Sequence, residues 1–409
     1  MKLIILKSRL RNYPIIIDRG ITAKAADTIN KYFFNSEKII LVTNDKILSI
    51  YESTIKKLLS STNRTTHIIV LKDGEEQKNL ENTEYIYQNL INFNTHRNDL
   101  IIAFGGGVIG DIAGFAASTF HRGINLLQFP TTIIAQLDSS IGGKVAVNYK
   151  DIKNIIGSFY QPNAVLIDPE LLETLQEREI INGLAEIVKY GILFDKRILG
   201  ILKKITVKAP KLKELSLYAK LNLYTDTENK EKDTVLDETR SSYLNELIKS
   251  RDFERIIYKC VKIKSAVVKK DEFDTGYRNL LNFGHTIGHA IEKVKRLKDI
   301  SHGEAVALGM IVAADISIEL GLAKESLKNK LVEIYNPLKL PYTIPNINVN
   351  ELISSLKFDK KFLSSQNKFI LLRYLNKPVF RYNIEEDIIR KSILKNMPTE
   401  KLNEKCFNN

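Results

Sequence analysis

Hydrophobic positions in the first part of the chain form short continuous runs, and stretches of helical periodicity separate these runs. The runs resemble buried strands and cover residues 13–18, 38–44, 66–74, 99–107, 124–132 and 164–169. The stretches between them repeat apolar side chains at the spacing of amphipathic helices, at residues 22–33, 46–60 and 79–93. Strands that alternate with helices are typical of a largely parallel sheet. The pattern therefore predicts an α/β domain.

The pattern changes near residue 175, where long segments at helical spacing replace the alternation. They cover residues 177–194, 196–225, 253–270, 284–296, 303–320 and 324–334. A late strand is expected at residues 368–375. We therefore expect two domains, an α/β domain over residues 1–175 and a mostly α-helical domain over residues 176–409. Residues 222–255 are dense in charge and poor in large apolar side chains, which predicts a solvated insertion in the second domain, partly disordered or loosely helical.

Composition narrows the class of protein. The chain has 409 residues, of which 44% are hydrophobic and 27% are charged, as in ordinary globular proteins. It has no apolar run of about 18 residues, and its first residues lack the apolar region of a signal peptide. We therefore expect no membrane association and a cytoplasmic location. The two cysteines, Cys260 and Cys406, have no metal-ligand spacing and suit a reducing compartment.

The formal net charge of +13 is compatible with nucleic-acid binding. The lysines are scattered among isoleucine and asparagine, however, and the chain contains no nucleic-acid-binding motif. We therefore expect no nucleic-acid partner and attribute the excess to compositional drift. A positive field would also suit an anionic, phosphorylated substrate.

Several polar segments are candidates for chemistry. Gly105, Gly107 and Gly110 in "GGGVIGD" fit G-x-G-x-x-G after a predicted strand, where backbone N–H groups can approach a pyrophosphate. The alternative is a tight turn without a ligand, because the motif arrives late in its domain. The segments "DGEEQKN" (73–79), "PTTIIAQLDSSIGGKVAVN" (130–148) and "KNIIGSFYQP" (153–162) could present lysines to a phosphate or form plain surface loops.

Histidines and one glutamate suggest a metal site. His285 and His289 in "NFGHTIGHAIE" lie four residues apart, on one face of a helix. Thr286 stands where the zinc-protease motif H-E-x-x-H has its catalytic glutamate, so that chemistry is excluded. One carboxylate and two imidazoles suit Zn²⁺ with an open position. The alternatives are histidines that belong to the core and, for Glu186 with Lys189, a structural ion pair.

These segments together resemble the 3-dehydroquinate synthase family of sugar-phosphate cyclases. The resemblance rests on "DGEEQK", "GGGVIGDIAGFAAS", "QFPTTIIAQLDSSIGGKVAVN", "KNIIGSFYQP", "GLAEIVKYGI", "NFGHTIGHAIE" and "HGEAVALGM", which occur in the family's order over most of residues 1–320. It implies a Rossmann-like NAD-binding domain, an α-helical metal-binding domain and an active site in the cleft between them. It also implies NAD and Zn²⁺ or Co²⁺ as cofactors, and a homodimer.

The implied reaction converts 3-deoxy-D-arabino-heptulosonate 7-phosphate (DAHP) to 3-dehydroquinate and phosphate, the second step of the shikimate pathway. It proceeds by NAD-mediated transient oxidation, phosphate elimination, reduction and intramolecular aldol closure. The alternatives are another sugar-phosphate cyclase and a metal- and NAD-dependent alcohol or glycerol dehydrogenase. The pair "LDSSIGGK" and "RNLLNFGH" favours dehydroquinate synthase.

The resemblance also assigns residues. The implied metal ligands are Glu186, His285 and His302, and His289 is implied to shuttle a proton on the substrate side. Further residues implied in the substrate pocket are Asp138, Lys144, Asn154, Lys189, Lys264, Arg278 and Asn282. The implied NAD contacts are Asp73, Gly74, Glu75, Glu76, Gln77, Lys78, Gly107, Val108, Ile109, Gly110, Asp111, Thr131, Thr132, Lys144, Lys153, Leu171, Leu172, Glu173 and Thr174.

Three features depart from the family pattern. The insertion lengthens the helical domain, and Val145 stands where threonine is usual after Gly-Gly-Lys. The loop after Lys360 and Lys361 lacks a glycine often found there, so the substrate contact from that loop is left open. None of the motif residues is lost, and we expect an active enzyme.

Overall fold

The computed structural model describes residues 1–150, 152–208, 243–295, 300–357 and 367–398. The chain divides into two compact units. The first comprises Met1–Leu175 with Phe253–Arg278, and the second comprises Gln176–Asp252 with Asn279–Asn409. The domain division predicted from the sequence instead places residues 253–278 with the second domain. None of the described helices is long and apolar enough to cross a membrane.

The first unit is built on a seven-stranded sheet and a separate hairpin. Its strands are β1 (Lys2–Leu6), β2 (Tyr13–Ile17), β3 (Lys38–Asn44), β4 (Thr65–Leu71), β5 (Leu100–Gly105), β6 (Asn125–Pro130), β7 (Lys144–Tyr149), β8 (Ile152–Phe159) and β9 (Ala164–Ile167). The sheet order is β1-β2-β9-β6-β5-β3-β4. Only β1 runs antiparallel to its neighbour, and the other pairs are parallel. The predicted parallel sheet is therefore confirmed.

Helices cover both faces of this sheet. They are Ala25–Tyr32, Asp45–Ser60, Leu80–Asn92 and Gly107–Thr119, and Arg251–Lys270 joins the unit from later in the chain. Along β3, Ile39 and Leu41 face one hydrophobic cluster, while Ile40 and Val42 face another. Because both faces are buried, the central positions Ile39–Val42 are all apolar, which explains the continuous hydrophobic run.

The order of the strands creates a switch point in the sheet. β4 lies on one side of β3, and the chain then returns to place β5 on the other side. In open α/β sheets, ligands bind at the carboxyl ends of the strands where the winding direction reverses. Here those ends are Asn44 of β3 and Gly105 of β5.

The antiparallel hairpin β7–β8 lies in segments interpreted from the sequence as loops. β7 pairs with β8 from Lys144 opposite Phe159 onward. Val145 and Val147 are buried while Lys144 is exposed, and this alternation with a period of two is the strand signal. The polar and glycine-rich composition around the hairpin obscured it.

The second unit is mostly α-helical, as predicted. Its helices are Glu177–Leu193, Lys196–Lys208, His285–Val294, His302–Glu319, Ser326–Tyr335, Val349–Lys357 and Glu386–Leu394, and β10 (Lys368–Leu372) pairs with β11 (Pro378–Tyr382). The helix His302–Glu319 is buried on nearly all sides and starts with a capping box between Ser301 and Glu304. A Cβ added at Gly309 would lie 1.9 Å from the carbonyl oxygen of Gly284. The helices that begin at His285 and His302 therefore pack backbone against backbone.

Part of the predicted insertion is corrected by the structure. Residues 243–249 are helical, and Leu244, Leu247 and Ile248 are buried. Their spacing forms an apolar helix face, so the prediction of a solvated segment is wrong for residues 243–255. The rest of the insertion, the end of the helix predicted at 196–225, and the predictions for Lys360, Lys361 and Cys406 lie outside the described residues.

Candidate active site

Three potential metal ligands meet in the second unit. Glu186 lies in the helix Glu177–Leu193, while His285 and His302 are the first residues of their helices. One donor atom from each lies within 4.8 Å of the other two. Glu186 Oε1 is 3.7 Å from His285 Nε2 and 3.8 Å from His302 Nε2. One carboxylate and two imidazoles so placed fit a divalent cation with an open coordination position.

The second nitrogen of each histidine has its own acceptor. His285 Nδ1 lies 3.2 Å from the carbonyl oxygen of Phe283, and His302 Nδ1 lies 3.4 Å from Glu292 Oε1. A ring N–H that donates to these oxygens leaves a lone pair on Nε2, the nitrogen that faces Glu186. Both imidazoles therefore present a ligand nitrogen to the same carboxylate.

The carboxylate of Glu186 supplies the test of whether a metal fits. Its Oε1 is buried and has no hydrogen-bond donor among the described residues. Its Oε2 forms an ion pair with the buried ammonium of Lys189. A buried carboxylate oxygen without a partner is costly, and a cation between it and the two histidines would remove that cost. The residues present therefore fit a divalent metal ion.

The charge states of the histidines follow from their surroundings. Burial lowers the pKa of His285 well below its usual range, and the positive charges of Lys189, His302 and His289 lower it further. Burial also opposes the charged form of His302, but its hydrogen bond with Glu292 and the charge of Glu186 outweigh burial and raise the pKa. Only the neutral imidazole binds a metal, so His285 is ready to act as a ligand.

A second group of possible ligands shares His302. His289, Glu292 and His302 also place donor atoms within 4.8 Å of one another. The Glu292 carboxylate lies beside Nδ1 of His302, however, whereas the Glu186 carboxylate lies on the side of Nε2. We therefore interpret Glu292 as the carboxylate that orients a metal-binding imidazole. Sequence reasoning missed Glu292, although its position three residues after His289 on one helix face was a usable signal.

In the first unit, the segments predicted to contact NAD follow the ends of parallel strands. Residues 73–78 follow β4, residues 107–111 follow β5, Thr131 and Thr132 follow β6, and residues 171–174 follow β9. Parallel strands end at the same edge of a sheet, so these segments gather at one edge. That edge includes the switch point between β3 and β5.

Two features of this edge fit a dinucleotide. The helix Gly107–Thr119 begins there without a side-chain cap, so its first N–H groups can bind an anion such as a pyrophosphate. Thr131 lies beside the end of β5, because its N–H donates to the carbonyl oxygen of Gly105 over 3.0 Å. The hydroxyl of Thr131 is buried without a hydrogen-bond partner in the described part of the chain. Both features would be satisfied by a phosphorylated ligand.

Asn44 also belongs to this edge, although it was not among the predicted residues. It ends β3, and its Nδ2 donates to Asp73 Oδ1 over 2.7 Å. Its Oδ1 accepts from the N–H of Ile47 and caps the helix Asp45–Ser60. An asparagine between a hydrophobic run and a helical stretch was the signal that would have identified it.

Lys78 links the nucleotide edge to the hairpin β7–β8. Its buried ammonium pairs with Asp111 Oδ2 and donates to Asn154 Oδ1, both over 2.5 Å. The N–H of Asn148 donates to the carbonyl oxygen of Lys78 over 2.8 Å. Burial raises the pKa of the Asp111 carboxyl despite the charge of Lys78. These contacts join predicted NAD contacts and a predicted substrate residue in one network.

A cavity of about 500 Å³ opens in the first unit. The predicted residues that line it are Asp111, Asp138, Lys144, Asn154, Lys264 and Arg278. Ligand pockets typically enclose about 300–1,000 Å³, so the cavity has the size for a small phosphorylated substrate. Its lining carries three cationic side chains, Lys144, Lys264 and Arg278, against the two carboxylates Asp111 and Asp138, so the cavity favours an anionic substrate.

Lys264 and Asp138 form a close ion pair in this cavity. Burial lowers the pKa of Lys264 to about 8, although the charge of Asp138 opposes this. The positive charges of Arg278 and Lys144 add to the lowering. Lys264 therefore changes its charge close to the pH at which enzymes work.

Other predicted residues lie elsewhere. Lys153 is exposed on β8, and Asn282 ends a 3₁₀ helix that begins at Tyr277. Residues 171–174 lie in a short helix after β9, where the Tyr51 hydroxyl donates to the carbonyl oxygen of Leu171 over 2.8 Å. In the described structure, these residues are not part of the cavity lining. Their roles stay predictions.

Comparison with known proteins places the chain in a family. The family model described as 3-dehydroquinate synthase N-terminal matches residues 68–182, and the one described as 3-dehydroquinate synthase C-terminal matches residues 219–362. The 3-dehydroquinate synthase of Clostridium beijerinckii is 40% identical over 363 residues, which cover 89% of this chain and 93% of that protein.

Solved structures share the fold. A 2-epi-5-epi-valiolone synthase from Streptomyces hygroscopicus, with NAD⁺ and Zn²⁺ bound, superposes with a TM-score of 0.77 at 22% identity. A 2-deoxy-scyllo-inosose synthase complexed with carbaglucose-6-phosphate, NAD⁺ and Co²⁺ reaches 0.76 at 24% identity. Each comparison covers 97% of this chain and 99% of the other. The predicted fold class is confirmed, and the matches over nearly the whole sequence show that the chain belongs to the 3-dehydroquinate synthase family.

Proposed function

We propose that this protein converts DAHP to 3-dehydroquinate and phosphate. The observation that carries the proposal beyond family membership is the cavity in the first unit, with its three cations Lys144, Lys264 and Arg278. DAHP carries both a carboxylate and a phosphate. A simple alcohol such as glycerol has no charge for such a cavity to bind.

A metal ion held in the second unit would assist the oxidation of the substrate. Glu186, His285 and His302 would hold Zn²⁺ or Co²⁺, the metals bound by the two solved cyclases. Such a cation makes a substrate hydroxyl more acidic and polarises a carbonyl oxygen. Lys189 pairs with Glu186, and Glu292 fixes the ring of His302, so both hold the ligands in place.

The nucleotide edge would hold NAD⁺. The start of the helix Gly107–Thr119 and the hydroxyl of Thr131 would hold its pyrophosphate, while Asn44 and Asp73 lie at the neighbouring strand ends. NAD⁺ supplies reversible hydride transfer when it is bound. Lys78 connects this edge to the hairpin, because its ammonium donates a hydrogen bond to Asn154 Oδ1.

His289 is assigned to proton transfer. Its ring centroid lies 5.4 Å from that of His285 and 6.0 Å from that of His302, so the imidazole borders the metal centre. An imidazole can take and return a proton near neutral pH, as the oxidation and reduction of a hydroxyl require.

The cavity residues orient the substrate. Lys144, Lys264 and Arg278 offer charge-assisted hydrogen bonds to carboxylate and phosphate oxygens. Asp138 balances the charge of Lys264 and can accept a hydrogen bond from a substrate hydroxyl. Fixing the carboxylate and the phosphate of the substrate holds its reacting atoms in place for the oxidation and the phosphate elimination.

The experiment supplies the purified protein with DAHP, NAD⁺ and Zn²⁺ or Co²⁺, and quantifies phosphate and 3-dehydroquinate. We expect both products in equal amounts, and none of either from the His302→Ala variant. Glucose 6-phosphate, which has no carboxylate, is the control substrate and should not react. Turnover of glucose 6-phosphate, or DAHP consumption without phosphate release, would contradict the proposal.

We also propose a homodimer, from the family resemblance. Light scattering would give twice the chain mass of 46.6 kDa. A mass equal to that of one chain would contradict it.

A further inference from the structure

A single carboxylate organises the turn that follows the helix Arg251–Lys270. Asp271 Oδ2 accepts from the N–H groups of Gly276 over 2.8 Å and of Arg278 over 2.9 Å. Asp271 Oδ1 accepts from the N–H of Thr275 over 3.0 Å and from its hydroxyl over 3.2 Å. Burial alone would raise the pKa of Asp271, but these donors lower it to about 2, so the carboxylate stays charged in ordinary buffers.

The side chain of Arg278 is fixed as firmly as its backbone. Arg278 is 2% exposed, and its Nη1 donates to the carbonyl oxygens of Gly142 over 3.0 Å and Glu272 over 2.8 Å. Glu272 is itself held, since it accepts from the N–H of Arg9 over 2.6 Å and from Gln161 Nε2 over 2.7 Å. These hydrogen bonds therefore hold the guanidinium of Arg278 at one position in the cavity wall.

The same turn places a second cation. Asp274 lies at its tip, with a φ of 57°, and pairs with the ammonium of Lys144. Lys144 and Arg278 both line the cavity, and both depend on the course of residues 271–278. Asp271 fixes that course through three backbone N–H groups and does not line the cavity itself.

We propose that Asp271 is a positioning residue, which holds Arg278 and Lys144 where they bind the anionic groups of the substrate. The identity of that substrate rests on the proposed function, whereas the placement of Arg278 does not. Without the carboxylate, three N–H groups lose their acceptor and the turn can take other courses. The guanidinium then reaches the cavity only part of the time, and the substrate binds less tightly.

The test compares Asp271→Asn with a matched variant, Asp99→Asn. Asp99 also accepts from three backbone N–H groups, those of Glu37, Lys38 and His96 over 3.1, 2.8 and 2.7 Å. It belongs to the same unit but not to the cavity lining. Both variants should lose similar thermal stability. Only Asp271→Asn should raise the KM for DAHP, by roughly tenfold or more, with kcat changed by less.

A second readout needs no turnover. Phenylglyoxal modifies accessible arginines, and peptide mass mapping reports the modification of Arg278 over time. Buried Arg278 should react slowly in the wild type and in Asp99→Asn, and several-fold faster in Asp271→Asn. Asp274→Asn, a milder variant, should raise KM through Lys144 without exposing Arg278. If Asp271→Asn does not fold, Asp274→Asn still tests whether this turn places Lys144.

The outcomes separate the two proposals. If the wild-type protein does not convert DAHP, the proposed function fails, while the labelling of Arg278 still decides the role of Asp271. If Asp271→Asn and Asp99→Asn change labelling and KM alike, Asp271 contributes only to stability and the inference is overturned. An Asp274→Asn variant with unchanged KM would likewise contradict the part that concerns Lys144.

Discussion

Replacing Lys264 with methionine should weaken substrate binding at neutral pH and matter little at high pH. Lys264 is nearly buried in the cavity beside Asp138, and burial lowers its pKa to about 8. The ammonium is therefore present at pH 7 and largely absent above pH 9. Methionine keeps an unbranched apolar chain of similar length and removes the charge, so Lys264→Met isolates the ammonium.

The magnitude follows from one hydrogen bond to a charged group. Such a bond contributes about 1.5–3 kcal/mol, so kcat/KM for DAHP at pH 7 should fall by roughly 10- to 150-fold. In the wild type, kcat/KM should itself decline above pH 8, because it follows the protonation of the free enzyme. The decline approaches tenfold per pH unit. The variant lacks this limb, and the two profiles should converge near about pH 10.

The titration of Lys264 should also change the free energy of unfolding, which should rise with pH over the range in which kcat/KM falls. The pKa of Lys264 falls from 10.5 to about 8 on folding, so the unfolded chain binds the proton more tightly. The free energy of unfolding therefore gains from rising pH between about 8 and 10.5, by an amount on the order of 3 kcal/mol. Below pH 8 the folded state carries the buried ammonium, and the free energy of unfolding is lowered by the full amount. Lys264→Met removes this pH dependence, and it also removes the ion pair with Asp138.

Steady-state kinetics and thermal melts between pH 7 and about pH 10 would measure both effects. Lys262→Met is the control, because Lys262 is exposed two residues away on the same helix. It should follow the wild type at every pH. Parallel profiles for the wild type and Lys264→Met over this range would refute the assignment of the alkaline limb to Lys264.

Three further variants test the two sites. Glu292→Ala should weaken metal binding by about 10- to 100-fold, measured by competition with a chelator, because His302 loses the acceptor that orients it; unchanged affinity would contradict that role. Gly142→Ala should lower the melting temperature and raise KM, since its φ is +95° and a Cβ would lie 2.5 Å from Arg278 Nη2; a stable variant with normal KM would show that the turn adapts. His289→Ala should keep the metal and lose about 10²- to 10⁴-fold in kcat; loss of the metal, seen by elemental analysis, would instead make His289 a ligand.

The sequence predicted the inner parallel strands well because they are covered on both faces, whereas no strand was predicted at the edge strand β1, which exposes Leu3 and Ile5. A run such as "KIILVTN" then has no polar face, and its boundaries are visible where the run ends. The hairpin β7–β8 was harder, because one of its faces is exposed and glycines precede it. Only the alternation around Val145 and Val147 marks it as a strand.

The candidate site was predictable only in part. The family resemblance implied Glu186, His285 and His302 as metal ligands, and the structure brings their donor atoms together. The roles of Asn44 and Glu292 depend on which strand ends and helix faces lie together in the folded protein. A single sequence does not give this information. The return of residues 253–278 to the first unit is also a tertiary event. It places Lys264 and Arg278 at a cavity formed largely by residues more than a hundred positions earlier.

We propose that this protein uses NAD⁺ as a catalyst and does not consume it. The measurement gives the metal-loaded protein excess DAHP with NAD⁺ at a concentration below that of the enzyme, and follows phosphate release together with absorbance at the NADH band. We expect many phosphates released for each NAD⁺ and no lasting rise in absorbance, because the hydride returns to the substrate. One NADH accumulated for each product formed would mark the protein as a dehydrogenase and contradict the account.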